Sequence, residues 1–218
     1  AIEMHYIVLD FEWNQPLSEK EMLMEPFPFD SEIIEIGAIK LDESFQTVDE
    51  FKTFIRPQFY PHLSNAVVQL TKIRPQELEK APSFPEAFDA FIDWCGDDCA
   101  LCSWGPDDIP VLLDNMLLHG IPTEPFPYCY DLQRIFAREL LRENRQCSLS
   151  DAVKMLKLPA DRAHDALNDT RNTVRVCERM DLAGCIDEYR TAFVGYGADR
   201  KSGLISGLIY PSLDAALA

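Results

Sequence analysis

A short apolar segment near the start of the chain ends in two acidic residues. Residues 6–9 read Tyr-Ile-Val-Leu, an unbroken apolar run that predicts a buried strand. Asp10 and Glu12 follow at the end of this run, where a carboxylate buried without a partner would be costly. A bound cation would remove that cost. Because the chain has 37 acidic residues in 218, acid-x-acid pairs also arise about six times by chance, so the pair needs support from elsewhere.

Further apolar segments follow in an order typical of an α/β domain. We predict strands at 5–11, 33–41, 48–56, 99–103 and 126–130. We predict helices at 64–70, 84–95, 107–119, 131–143, 148–156 and 165–182. Three strands followed by alternating helices and strands indicate a mixed central sheet flanked by helices, in one domain over 1–218.

Composition limits the classes of protein that this chain can belong to. A hydrophobic content of 47% supports a sizeable core, and no apolar stretch approaches the roughly 18 residues of a membrane span. Seven cysteines without regular spacing fit a reducing compartment, and no signal peptide precedes Met4, so we expect a cytoplasmic protein. Cys99 and Cys102 form a C-x2-C pair, but residues three apart on a strand point to opposite faces, which argues against structural zinc.

Three further residues downstream complete a group with metal-dependent chemistry. Asp108 lies in CSWGPDDIPVLL, and His164 and Asp169 lie in RAHDALNDTRN. Carboxylate oxygens suit hard divalent ions such as Mg²⁺ or Mn²⁺. Positions 164 and 169 are about 140° apart around a helix, so we expect His164 in the loop before the helix that carries Asp169.

The combination resembles the DEDDh 3′–5′ exonucleases, the DnaQ-like branch of the ribonuclease H-like fold, over residues 5 to about 182. The matching pattern is an acid-x-acid pair on the first strand, a downstream Asp and a late His-x4-Asp. The segments at 26–42, 51–73 and 101–113 are similar to those of exoribonucleases that trim histone mRNA and small-RNA 3′ ends, and of bacterial KapD-like exonucleases. The remaining residues, 183–218, would be a C-terminal extension whose structure the sequence does not indicate.

The resemblance implies a specific distribution of roles. Asp10, Glu12 and Asp169 would hold the metal that orients the attacking water, and Asp10 would bridge to a second ion supported by Asp108. His164 would take the proton from the water. Position 165 is Asp rather than Tyr, which excludes the variant of the family that uses a tyrosine there. The expected activity is release of nucleoside 5′-monophosphates from the 3′ end of single-stranded RNA, with two Mg²⁺ or Mn²⁺ ions.

Residues adjacent to the motifs are candidates for substrate contact. Backbone or aromatic groups of Phe11 and Trp13 could meet the last nucleotide, since stacking on an aromatic ring is worth about 1–3 kcal/mol per base. Trp104 and Asn172 have the same status. Packing at a strand end is the alternative for Trp13. The loop with Met22, Met24, Phe27 and Phe29 forms either a wall of the site or a segment folded onto the core.

The charge of the chain opposes simple binding of a long polyanion. A net charge of −17 repels nucleic acid, so we expect the protein to contact only a short stretch of the strand at its 3′ end. Two predicted helices nevertheless carry arginines at helical spacing, which either pair with Glu139, Glu143 and Glu178 on a solvated face or contact phosphates. We expect the pairing for both sets: Arg134, Arg138 and Arg142, and Arg171, Arg175 and Arg179.

Other functions remain open from the sequence. The chain could be a DNA proofreading-type exonuclease or a scavenger of small oligonucleotides. It could also be a non-catalytic interaction module that kept the fold. Five intact motif residues argue against the last alternative, because a scaffold has no physical need for clustered like charges.

Overall fold

The computed structural model describes residues 3–218, so the first two residues of the domain predicted over 1–218 lie outside it. Five strands form the central sheet in the order β3-β2-β1-β4-β5. They are β1 His5–Asn14, β2 Glu32–Leu41, β3 Thr47–Phe54, β4 Cys99–Ser103 and β5 Cys129–Asp131. β2 is antiparallel to β1 and β3, whereas β4 is parallel to both β1 and β5. The predicted α/β class with a mixed central sheet is confirmed.

Helices cover both faces of this sheet. They are α1 Asn65–Thr71, α2 Pro75–Glu79, α3 Phe84–Cys95, α4 Asp108–Leu118, α5 Leu132–Phe136, α6 Leu149–Met155, α7 Ala166–Cys177, α8 Leu182–Cys185 and α9 Leu213–Leu217. A π-helical turn, Ala137–Leu141, continues α5, and 3-10 turns occupy Glu19–Glu21 and Ile186–Tyr189. None of the helices in residues 3–218 is both long and apolar enough to cross a bilayer.

The alternation of side chains along β1 divides the core into two layers. Tyr6 and Val8 face the layer formed with α5, α6 and α7, whereas Ile7 and Leu9 face the layer formed with α3 and α4. Cys99 and Cys102 also fall on opposite layers, as their spacing predicts. The sheet therefore lies between two buried layers, and β1 is its central strand.

Three predicted elements differ from the observed ones. The strand predicted at 126–130 begins only at Cys129, because Pro125 and Pro127 lack the N–H groups that a ladder requires. The helix predicted at 165–182 ends at Cys177, and Asp181 caps a separate helix, α8, by accepting a hydrogen bond from Gly184 N. The helix predicted at 131–143 changes to π geometry after Phe136.

A glycine on β2 allows α7 to approach the sheet closely. A Cβ atom at Gly37 would lie 2.4 Å from the backbone carbon of Ala166 and 2.4 Å from Leu167 N. Thr170, on the same helix, donates to Gly37 O at 3.3 Å. The first turn of α7, which carries Asp169, is thus seated directly on the central sheet.

The segment that the sequence left unassigned forms a small second sheet. β6, Ala192–Ala198, and β7, Ile205–Tyr210, pair as an antiparallel hairpin that packs against α4. A Cβ at Gly207 would lie 2.5 Å from the Leu113 side chain, so the hairpin touches α4 through a glycine. Just before the hairpin, Thr191 bridges to Cys129 and covers the outer side of β5.

The loop after β1 folds largely onto the protein. Phe27 and Phe29 are buried in a satellite cluster with Tyr60, and Tyr60 stacks on Phe29 with ring centroids 6.0 Å apart. Met24 is instead about half exposed, at 52%. The two phenylalanines therefore belong to the core, which was one of the two alternatives for this loop.

Candidate metal and catalytic site

The end of β1 presents two carboxylates on one side of the strand. Phe11, between them, is buried against the α3 and α4 layer, so Asp10 and Glu12 project toward the opposite side. Carboxylate oxygens of Asp10, Glu12 and Asp169 lie within 4.8 Å of one another. The structure thus brings together three residues that are up to 159 positions apart in the sequence (169 − 10).

Asp108 joins this group from the other layer. It is the first residue of α4 and is 7% exposed. Its Oδ2 accepts a hydrogen bond from Phe11 N at 3.1 Å, which fixes the start of α4 against the end of β1. Asp108 thereby contacts the backbone between Asp10 and Glu12, beside the three-carboxylate cluster rather than within it.

His164 lies in the turn before α7, as predicted. Its backbone N–H donates to Asp169 Oδ2 at 3.1 Å, and its side chain is exposed. The residue has φ of 62°, in the left-handed region that is uncommon for residues other than Gly, although Asn, Asp and His adopt it more often than the rest. Asp165 follows as the N-cap of α7 and forms an ion pair with Lys52 at 3.2 Å. These contacts hold the exposed histidine at the rim of the carboxylate cluster.

The carboxylates destabilise one another in their charged forms. Burial is the largest cause, and repulsion among the group adds to it. Together they raise the pKa of Glu12 to about 8 and the pKa of Asp10 well above its usual value. Burial also raises the pKa of Asp108 to about 7 and that of Asp169 to about 6. When ionised, these four carboxylates give the site a strongly negative charge.

The donor set fits divalent cations. Asp10 Oδ2 is shielded from solvent and has no hydrogen-bond partner within residues 3–218. A buried carboxylate oxygen of this kind needs a donor or a cation to offset its desolvation. Asp10, Glu12 and Asp169 offer oxygens close enough to share one ion, and oxygen-only ligation suits Mg²⁺ or Mn²⁺.

A fifth carboxylate, Glu35, was missed from the sequence. It lies on β2 directly opposite Glu12 in the antiparallel ladder and is 1% exposed. Its Oε1 accepts a hydrogen bond from Ala166 N at 2.8 Å, at the start of α7. Burial raises its pKa to about 7. The signal was present, because an acid inside the apolar run IIEIGAI is as costly as one at the end of β1.

The four residues predicted to contact substrate lie in different environments. The Phe11 ring is buried in the core, and its N–H is used by Asp108. Trp13 is partly buried and lines a cleft of about 770 Å³ together with Asp107. Trp104 packs on Phe136 and donates from Nε1 to Cys147 O at 3.0 Å. Trp13 is therefore the candidate whose side chain faces open space beside the motifs.

Asn172 is engaged within the protein. Its side chain accepts from Asp161 N at 3.0 Å and donates to Asp161 O at 3.1 Å, so it ties the loop before His164 to α7. It is 4% exposed. A direct substrate contact would have to replace these hydrogen bonds, and the predicted contact stays a prediction.

The two arginine sets differ from the expected pairing. Glu139 accepts a hydrogen bond from Tyr189 Oη, and Glu143 pairs with Arg145, so neither pairs with the first set. In the second set Arg171 pairs with Glu50 at 2.8 Å, and Arg175 pairs with Asp161 at 3.1 Å. The expectation was wrong in its partners for both sets. In the second set, residues of β3 and of the loop before α7 pair with the arginines instead, whereas within residues 3–218 no arginine of the first set forms an ion pair.

Comparison with known proteins agrees with this geometry. The 3′-5′ exoribonuclease 1 of Homo sapiens is 25% identical over 171 residues, which cover 73% of this chain and 49% of the human protein. The DNA polymerase III PolC-type of Thermotoga maritima is 32% identical over 176 residues, covering 80% of this chain and 12% of the polymerase. The chain spans about half the length of the human relative.

A solved structure shows the same fold. The nuclease domain of 3′hExo, described as a DEDDh family member bound to rAMP, superposes with a TM-score of 0.70 at 24% identity. The match covers 83% of this chain and 93% of that domain. This likeness confirms the ribonuclease H-like architecture that the sequence predicted.

A protein-family model matches most of the sequence. The model described as Exonuclease, RNase T, matches residues 7–177, a range that begins on β1 and ends with α7. All five motif residues lie inside it. The resemblance drawn from the motifs is confirmed, and the chain belongs to the Exonuclease family.

Proposed function

We propose that this chain is a metal-dependent 3′–5′ exonuclease that releases nucleoside 5′-monophosphates from the 3′ end of single-stranded RNA. The observation that carries the proposal is the cluster of Asp10, Glu12 and Asp169 within 4.8 Å, with Asp108 beside it and His164 at its rim.

Each residue of the site would have a distinct role in the reaction. Asp10, Glu12 and Asp169 would hold one Mg²⁺ or Mn²⁺ ion, and Asp10 with Asp108 would hold a second. When bound, such ions neutralise the phosphate and lower the pKa of water. His164 is exposed beside Asp169 and would accept the proton of the attacking water. The turn that carries it is fixed by the hydrogen bond from the His164 backbone N–H to Asp169.

The choice of RNA rests on similarity. The human relative is named as an exoribonuclease, whereas the Thermotoga relative is a DNA polymerase. A DNA proofreading-type activity is therefore the second candidate. Discrimination would require a protein group at the terminal 2′-hydroxyl.

A comparison of end-labelled strands tests the proposal. RNA and DNA of the same sequence, each with a free or a blocked 3′-hydroxyl, are incubated with Mg²⁺ or with excess chelator. We expect 5′-monophosphates to be released one at a time from free RNA only in the presence of the metal. Equal cutting of blocked RNA would contradict the exonuclease assignment. Faster degradation of DNA would replace it with the proofreading-type activity.

The working compartment is a further part of the proposal. All seven cysteines are free thiols, and five of them are buried. This pattern supports a reducing environment, and we propose a cytoplasmic location. Detection of the protein mainly in a membrane or secreted fraction would contradict it.

A further inference from the structure

Two arginines lie at the same edge of the sheet as the carboxylate cluster. β1, β4 and β5 run in the same direction, so their carboxyl ends share one edge. Asp10 and Glu12 mark that edge on β1, and Asp108 follows β4. β5 ends at Asp131, and α5 begins immediately after it. Arg134, in the first turn of α5, is therefore placed beside the site, two strands away from β1.

A hydrogen-bonded link fixes α5 to the segment that precedes Asp108. Asp131 Oδ1 accepts from Arg134 N at 3.2 Å and from Gly105 N at 3.0 Å. Gly105 lies three positions before Asp108 in the sequence. The backbone that carries Arg134 is thus tied directly to the backbone that positions a candidate metal ligand.

The guanidinium groups of these arginines are free of carboxylate partners. Within residues 3–218, neither Arg134 nor Arg138 forms an ion pair, and the side chain of Arg138 donates one hydrogen bond, from Nε to Asn144 Oδ1 at 3.4 Å. Both side chains are exposed. Acids pair five of the twelve arginines, Arg171 and Arg175 among them, and Arg134 and Arg138 belong to the group that stays unpaired within residues 3–218.

Open clefts flank the two arginines. One cleft of about 360 Å³ lies toward β7, and another of about 410 Å³ lies toward the loop at 143–146. Arg134, Arg138 and Pro106 line both clefts. Acids line the clefts as well: Asp131 lines both, Glu188 the first and Glu143 the second. Glu143 is paired with Arg145, and Asp131 Oδ1 accepts the two backbone hydrogen bonds given above. Pro106, which lines both clefts, lies two residues before Asp108 in the sequence.

We propose that Arg134 and Arg138 bind backbone phosphates of the substrate strand on the 5′ side of its terminal nucleotide. This inference rests on the proposed function. Guanidinium groups bind phosphate through paired N–H donors and remain charged at all working pH values. The π-helical turn begins at Ala137 and contains Arg138, and such turns often mark functional sites in helices. The strand would leave the carboxylate cluster past Pro106 and cross the exposed face of α5.

The magnitude of the effect follows from counterion release. For single strands, each phosphate contact contributes about 0.7 to the slope of log affinity against log salt, so two contacts contribute about 1.4. At about 0.1 M salt, the same relation makes each contact worth roughly fivefold and the two together about 25-fold. A dinucleotide is too short to reach the arginines and should lose nothing.

The test compares two double variants that remove equal charge. Arg134→Gln with Arg138→Gln removes the proposed contacts, whereas Arg74→Gln with Arg179→Gln removes two exposed arginines elsewhere, one at the N-cap of α2 and one beyond the end of α7. KM and kcat are measured for a dinucleotide and for an RNA of about 12 nucleotides. We expect the first variant alone to raise KM for the longer RNA about 25-fold, with kcat and dinucleotide hydrolysis kept.

Strand binding is measured separately from hydrolysis, so that the two proposals can fail independently. Fluorescence anisotropy of the labelled RNA is followed in an Asp10→Asn background with Mg²⁺ over a range of salt. If the wild type hydrolyses no strand but binding still depends on the two arginines, the proposed activity fails and this inference stands. If binding and KM change equally in both double variants, the inference is wrong. Arginine-dependent binding of poly-glutamate without RNA would also overturn it, in favour of an acidic protein partner.

Discussion

His164 combines an exposed side chain with a left-handed backbone, and the two properties can be separated by substitution. Asn tolerates the left-handed region better than Ala does, so His164→Asn keeps the turn while it removes the base. We expect the variant to fold with the stability of the wild type and to lose about 10²–10⁴ in kcat, with KM nearly unchanged. Activity within twofold of the wild type would make His164 a structural residue. His164→Ala serves as the control for backbone strain, since it should also lower the melting temperature.

Individual residues of the site were predictable to different degrees. Asp10 and Glu12 were visible because they end an unbroken apolar run, and the turn at His164 followed from helical geometry. Glu35 was overlooked because it lies inside a run that already predicted a strand. The partners of Arg171 and Arg175 come from β3 and from the loop before α7, and local spacing cannot reveal them.

At the scale of elements, the contact between β2 and α7 determines where Asp169 lies. Gly37→Ala would place a methyl group 2.4 Å from the Ala166 backbone, so the first turn of α7 must move away. We expect a loss of about 1–3 kcal/mol in stability, together with a loss of about 100-fold in activity, because Asp169 and His164 move with the turn. Urea denaturation and steady-state kinetics measure the two effects.

Ile39→Val provides the matched control on the same strand. Ile39 is 2% exposed and shares the Gly37 face of β2, and the substitution should cost about 0.5–1.5 kcal/mol without moving α7. Comparable activity losses in both variants would show that the effect is one of stability alone.

Most of the strands and helices were predictable from the sequence. β2, β4 and α3 appear at or within one residue of their predicted limits, because continuous burial or a clear helical period specifies them. The hairpin of β6 and β7 was not predictable, since its short strands contain three glycines and pack against α4. The early end of α7 has a local origin, because Asp181 caps the separate helix α8.

The stability of the whole molecule should depend on pH and metal through the same carboxylates. In the folded protein, the pKa of Glu12 is raised to about 8 from 4.5, and that of Asp108 to about 7 from 3.8. At a pH between the unfolded and the folded pKa of each group, the unfolded chain binds fewer protons than the folded one. The stability of the metal-free protein therefore falls as pH rises from about 4 to about 8. We expect its melting temperature to drop by at least about 3 °C over that interval. Added Mg²⁺ should reverse the drop, because the ions bind only the folded form.

Asp10→Asn tests the origin of this behaviour. The metal-free variant should melt above the metal-free wild type at pH 8, and the difference should shrink as the pH falls, because burial and the neighbouring carboxylates raise the pKa of Asp10 well above its usual value. It should also gain less from Mg²⁺. A wild-type protein whose metal-free melting temperature rises with pH over this interval would contradict the assignment of raised pKa values to the cluster.

The outer strands of the sheet have a consequence for behaviour at high concentration. An exposed strand edge invites pairing with another copy, the first step toward amyloid-like aggregates. β5 is shielded by the Thr191 segment, and β3 carries Asp49, Glu50 and Lys52 on exposed or partly exposed positions. Glu50 is further held by Arg171 of α7. The charge that weakens attraction to nucleic acid thus also keeps sheets of neighbouring molecules from joining edge to edge.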